Sequence, residues 1–318
     1  MSTYYQIFGG KINVVSADPS NPIKGQVWFN SATPALKYRS ASVAAWSSGG
    51  NMGSGRYNFG SAGTQTAGLG FGGYPSGSGT TATEEYNGTS WTAGGNLNTG
   101  RYGSPGGAGT QTVAVGFGGS TGSVTAVTEE YNGTSWTNSG SLSTARQALG
   151  GAGTQTSALA FGGETTVKVG NTEEYDGSTW TAGGSLGTAR AGLAGAGTQT
   201  SALGFGGATT ISLANTEEYD GSAWTAGGNL NLARSSLGGC GTQTAGLAFA
   251  GGGVSTATEL YDGTSWTNSA NMATGRQGLG GCGTQAAGLA FGGAIVTGTN
   301  ATEEFSGPIA STKTVTAT

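Results

Sequence analysis

The residues of this chain that could do chemistry come in sets. Arginine recurs at Arg56, Arg101, Arg146, Arg190, Arg234 and Arg276, and several arginines together can hold a carboxylate ligand. Acidic pairs recur at Glu84 and Glu85, Glu129 and Glu130, Glu173 and Glu174, Glu217 and Glu218, and Glu303 and Glu304, and paired carboxylates are the machinery of glycoside hydrolysis. A catalytic site, however, needs a few unlike residues converging from different elements, and here the same residue returns to the same slot of a period. The six arginines therefore read as scaffold, each paired with a Glu or with strand-end carbonyls. The chain has no histidine, so its serines lack an imidazole base, copper lacks its His ligands, and zinc is left with two cysteines. No phosphate-cradling GxxxxGK segment occurs. The expectation is a protein that is not an enzyme, with no cofactor and no metal.

The period is set by tryptophan. Trp46, Trp91, Trp136, Trp180, Trp224 and Trp266 are separated by 45, 45, 44, 44 and 42 residues, and "FGG" or "FAGG" keeps the same beat. With 66 glycines in 318 residues, an aperiodic chain would read as low complexity. Fixed offsets of Trp, Tyr and "LAF" or "LGF" runs instead let neighbouring copies bury surface against one another. A charged fraction of 9% and a net charge of −4 provide no basic stripe for nucleic acid, and no run of 18 apolar residues is long enough to insert in a membrane. Cys240 and Cys282 take the slot that Ala62, Ala108, Ala152 and Ala196 fill in other copies, so they read as small packed residues rather than a disulfide. The sequons at Asn87, Asn132 and Asn300 read as turn and strand-entry residues.

Within one copy, residues 146–186, "RQALGGAG" and "SALAFGG" are apolar runs joined by a "GTQT" turn. The variable "ETTVKVG" then leads to the alternating "NTEEY", a tight "DGS" turn of the Asp-Gly type and "TWTAGGSL". Four short antiparallel strands per copy make one propeller blade. A WD40 repeat has a similar period but expects Gly-His and Trp-Asp pairs. Arg at the start of the first strand, Gly-Gly ending the second, Tyr-Asp in the third and Trp in the fourth resemble the kelch repeat in short form, over residues 40–306. That resemblance implies a fold and a binding role rather than an activity. The last copy, from Arg276, lacks its Trp, and an orphan fourth strand around Trp46 precedes the first copy. The expected fold is all-β, a six-bladed kelch-like β-propeller in which the N-terminal extension closes the ring. Residues 1–39 form an attachment segment, and 307–318 are a tail that adds a strand or frays.

The loop between second and third strands differs in every copy, whereas the "GTQT" and Asn/Asp-Gly turns hardly change. Recognition is therefore expected on the variable face, with Tyr74, Glu164, Lys168, Ile211, Leu213, Val254, Ile295 and Val296 making it asymmetric. The run "DPSNPIKGQVWFNSATPALKY", residues 18–38, resembles a segment of marine bacteriophage tail and fibre proteins, "P-x-x-G-x-[IV]-W-[FY]-N". It implies a virion component assembled in the host cytoplasm, bound to other virion proteins through its N-terminal segment and to a host surface glycan or protein through its propeller. The alternatives are a cellular kelch adaptor or lectin and, behind these, a sialidase-like glycosidase. For the last, "DGSTW" and "NGTSW" match the Asp box imperfectly, lacking one residue between Asp and Gly.

Overall fold

The computed structural model describes residues 12–20, 25–41, 43–75, 77–308 and 310–315, and all its regular elements are β-strands. The chain divides into two compact units, Ala45–Ser306 on one side and Met1–Ala44 with Gly307–Thr318 on the other.

In the larger unit every copy of the repeat is a four-stranded antiparallel sheet. The third copy pairs Gly150–Thr154, Ser157–Phe161, Thr172–Tyr175 and Trp180–Gly183 in chain order. The last copy borrows its fourth strand. Gly280–Gly283, Ala287–Phe291 and Thr302–Ser306 are completed by Ala45–Ser48, with Phe305 opposite Trp46. The repeats are numbered 1 to 6 below by their arginines, from Arg56 to Arg276.

Six repeats were expected, and the described residues hold seven four-stranded sheets. The seventh belongs to the smaller unit and does not follow the repeat: Asn13–Val15 runs parallel to Val27–Asn30, which pairs with Ala35–Ala41, which pairs with Ala310–Thr314. The tail is thus a strand, drawn in by its β-branched threonines. The motif of residues 18–38 has a structural role in this sheet. Asp18 accepts hydrogen bonds from the Trp28 indole at 3.0 Å, the Asn30 amide at 2.7 Å and Lys37 at 2.8 Å, which hold its carboxyl down to about 2. Asn30 in turn accepts the backbone N–H groups of Ala32 and Thr33 and so fixes the turn between two strands. Residues 1–11 and 21–24 of the segment expected to serve attachment lie outside the described residues.

Why the repeat is glycine-rich follows from how first strands crowd. A Cβ on Gly107 would lie 2.4 Å from the Ser61 carbonyl oxygen, and one on Gly195 2.4 Å from that of Gly151. First strands of successive repeats are therefore backbone to backbone around a cavity of about 190 Å³ lined mainly by Gly, Ala and Leu. Farther out, large side chains fill the gaps. Between repeats 1 and 2 the buried set is Ala62, Leu69, Phe71, Leu97, Ala114, Tyr131 and Trp136. Each Trp ring stacks on the Phe of the preceding repeat, with centroids 4.6–5.3 Å apart from Trp91–Phe291 to Trp46–Phe249, and such pairs add about 0.5–1.5 kcal/mol beyond area burial. Each indole N–H also finds a Thr hydroxyl one repeat back, including Trp91 to Thr302 of repeat 6 and Trp46 to Thr258 of repeat 5. The succession thus returns from repeat 6 to repeat 1, and the architecture is propeller-like.

Candidate functional site

The sets that first suggest chemistry are occupied by structure. Each arginine is fully buried and pairs with the first Glu of its own repeat. The distances are 3.1 Å for Arg56–Glu84 and Arg101–Glu129, 2.6 Å for Arg146–Glu173, 2.9 Å for Arg234–Glu259 and 3.2 Å for Arg276–Glu303, and Arg190 pairs likewise with Glu217. Five of these guanidinium groups also reach a second-strand carbonyl, such as Gly70 or Gly204. The other carboxylate oxygen accepts a backbone N–H from the segment that leads into the Arg, as with Gly53 on Glu84 and Gly187 on Glu217. Burial pushes the Arg101 guanidinium down to about 10, and Glu129 opposes that shift. The arginines do not begin the first strand as the sequence suggested. In most repeats a left-handed residue such as Asn58 or Ala148 separates Arg from strand, which turns the chain inward.

The second Glu works across repeats, a role the sequence reading missed. Its carboxylate accepts the hydroxyl of the next Tyr: Tyr131 on Glu85, Tyr175 on Glu130, Tyr219 on Glu174, Tyr261 on Glu218, and Tyr86 of repeat 1 on Glu304 of repeat 6, all at 2.5–2.6 Å. Burial, reinforced by the carboxylate, pushes these hydroxyls up to about 12. Repeats 5 and 6 break the pattern twice over. Leu260 stands at the Glu position and Phe305 at the Tyr position, so both polar partners are replaced together. Losing both partners is close to neutral, whereas losing one strands the other.

The invariant Gln of "GTQT" was likewise read only as a turn. Gln65, Gln111, Gln155, Gln199, Gln243 and Gln285 each donate to two carbonyls of the preceding repeat, one on its second strand and the other that of its third-strand aromatic residue. The Asn/Asp-Gly connection between the third and fourth strands has four residues, as from Tyr175 to Trp180. Asp176 accepts the N–H groups of Ser178 and Thr179, and Asn87 and Asn132 do the same in their repeats. Cys240 and Cys282 are buried free thiols, and burial pushes the Cys240 thiol up to about 12.

With the repeated groups absorbed, the variable face carries what is left. Its loops dock on the segments around the arginines: the second glycine of each Phe-Gly-Gly donates to the carbonyl of the next arginine, from Gly73 on Arg101 to Gly293 on Arg56. In repeat 5 the first glycine is Ala250, held at φ 61°. Of the residues singled out from sequence, Ile211, Ile295 and Val296 are well exposed at 69%, 48% and 93%. Val254 is exposed at the tip of a short loop with φ 55°. Tyr74, Glu164 and Lys168 are half-buried, and Glu164 and Lys168 are bridged through their backbones. Leu213 is half-buried and tied down by Gly207 and Arg234, which makes it an anchor of its loop. Two aromatic neighbours of Tyr74 escaped the sequence reading, Tyr57 and Tyr102, because each follows an invariant Arg and looked like part of the repeat.

Among the described residues no helix is long and apolar enough to cross a membrane, and no group of three His, Cys, Asp or Glu side chains could hold a metal. No protein-family model and no curated protein matches the chain.

Proposed function

We propose that the chain is a six-bladed kelch-like β-propeller, closed by its N-terminal strand, that serves as a non-enzymatic recognition module of a virion, most simply a tail or fibre component. The observation that carries this reading is the division of labour within the repeat. Arg, Glu, Tyr, Gln and Trp are consumed by contacts that recur around the repeats, and sequence freedom is confined to loops on one face. A rigid body with one variable face is what a display module requires. The non-enzymatic half is supported by the carboxylates, since each first Glu is already engaged by a buried Arg and a backbone N–H within its own repeat. The virion half is supported by the motif of residues 18–38, whose Asp18, Trp28, Asn30 and Lys37 serve a small sheet of their own. In this reading the smaller unit joins other virion proteins and the loops contact a host surface glycan or protein, where repeated copies make weak contacts sufficient.

The test is a loop exchange. Replacing residues 164–171 and 208–215 with Gly-Ser segments should leave particle assembly intact and reduce adsorption to host cells. Undiminished adsorption would remove the attachment role.

A further inference from the structure

The variable face is repetitive in backbone and not in side chains. In five of the six repeats the residue after Arg faces the residue after Gly-Gly: Tyr57 with Tyr74, Tyr102 with Ser120, Gln147 with Glu164, then Ala191 with Ala208 and Gln277 with Ala294. Aromatic side chains at this slot are confined to repeats 1 and 2. There Tyr57 and Tyr74 have ring centroids 5.5 Å apart at 59°, and Tyr74 and Tyr102 are 5.3 Å apart at 60°.

These three tyrosines differ from the interface tyrosines in burial and in hydrogen bonding. Tyr86 and Tyr131 are fully buried with their hydroxyls on Glu, whereas Tyr57, Tyr74 and Tyr102 are half-exposed and their hydroxyls have no hydrogen-bond partner among the described residues. Beside them lies polar capacity that the fold does not use. The Gln147 amide rests on the backbone next to Tyr102, where a Cβ on Gly103 would come within 2.6 Å of its Oε1. Glu164 is bridged to Gln147 through the backbone, and neither side chain has a partner among the described residues.

We propose that this patch is a subsite for an uncharged, hexose-containing glycan. A pyranose has an apolar C–H face and a rim of hydroxyls. The tyrosine rings offer rigid amphipathic surface at low conformational cost, and an amide and a carboxylate with unused acceptors match vicinal hydroxyls. Glu164 in the patch and the chain's net charge of −4 repel an anionic sugar. The inference rests on the proposed attachment role and supplies its ligand class.

Saturation-transfer NMR on the intact chain tests it, with maltotriose, mannotriose, galactobiose and chitotriose as probes and sialyllactose as the charged comparison. At least one neutral probe should receive saturation. Its apparent affinity should fall at least tenfold, about 1.4 kcal/mol, in Tyr74→Ala/Tyr102→Ala and be unchanged in Val113→Ser on the opposite face. If the double variant melts early, Gln147→Ala provides the same comparison without touching the rings. No transfer from any neutral probe, transfer undiminished in these variants, or preference for sialyllactose overturns the subsite. The titration uses isolated protein, so its outcome is separate from whether the chain resides on a particle.

Discussion

Restoring the missing polar pair between repeats 5 and 6 is a sharp test of how the repeats are joined. At five junctions a Tyr hydroxyl meets a Glu carboxylate at 2.5–2.6 Å. At the sixth, Leu260 and Phe305 replace them. Phe305→Tyr alone puts a hydroxyl into a fully buried site with no carboxylate opposite, which costs about 1–3 kcal/mol. Leu260→Glu alone trades half-buried apolar surface for a charge beside a Phe ring, which costs about 1–2 kcal/mol. Together they recreate the charge-assisted bond of the other junctions, worth about 1.5–3 kcal/mol. The double variant should therefore return to within about 1 kcal/mol of the parent, with a coupling energy of about 1.5–3 kcal/mol. Urea unfolding followed by tryptophan fluorescence measures all four corners of the cycle. Additive single effects, with coupling below about 0.5 kcal/mol, would mean that these two side chains do not face each other and that the junctions are not equivalent.

Arg190→Ala leaves Glu217 buried without its partner and should cost about 3–5 kcal/mol, whereas Arg190→Met/Glu217→Leu should stay within about 2 kcal/mol of the parent; a near-zero effect of the single change in chemical denaturation would contradict the scaffold role. Trp46→Ala removes ring contacts with Phe249 and Phe305 and the bond to Thr258, so it should lower stability by about 3–5 kcal/mol in one cooperative transition; a surface-like change below about 0.5 kcal/mol would show that this strand does not complete the sixth repeat. Spectrophotometric titration should find the five interface tyrosines ionising toward pH 12 in the folded chain, against 10 for free tyrosine. Their folded-state values are raised, so the stability they contribute is complete below pH 10 and drains as pH rises through 12, and ionisation of all of them near 10 before unfolding would break the Tyr–Glu assignment.

Legibility in the sequence followed the physics of each contact. Trp and Arg are rare, large and periodic, so the repeat, its strand order and the borrowed strand at Trp46 could be read from spacing. Gln65 and its counterparts were equally periodic, but a polar residue in a turn looks like a turn residue until its distance to the neighbouring carbonyls is known. The split of each Glu pair depends on strand alternation combined with the position of the next repeat: Glu84 turns to its own Arg56, and Glu85 turns to Tyr131. Of the seventh sheet, the tail was open to reading as a strand but its pairing was not, since Ala35–Ala41 meets Ala310–Thr314 across almost the whole chain and neither segment carries a repeat signal. On the variable face, variability marked the loops, yet the tyrosine patch takes two of its three rings from positions next to an invariant Arg.

The most direct measurement is the location of the chain on intact particles. Electron microscopy of purified particles labelled with an antibody against this chain should place the label on the tail or its fibres, at a repeated position from particle to particle. Recovery of the chain only from the soluble fraction of infected cells, with unlabelled particles, would contradict the account.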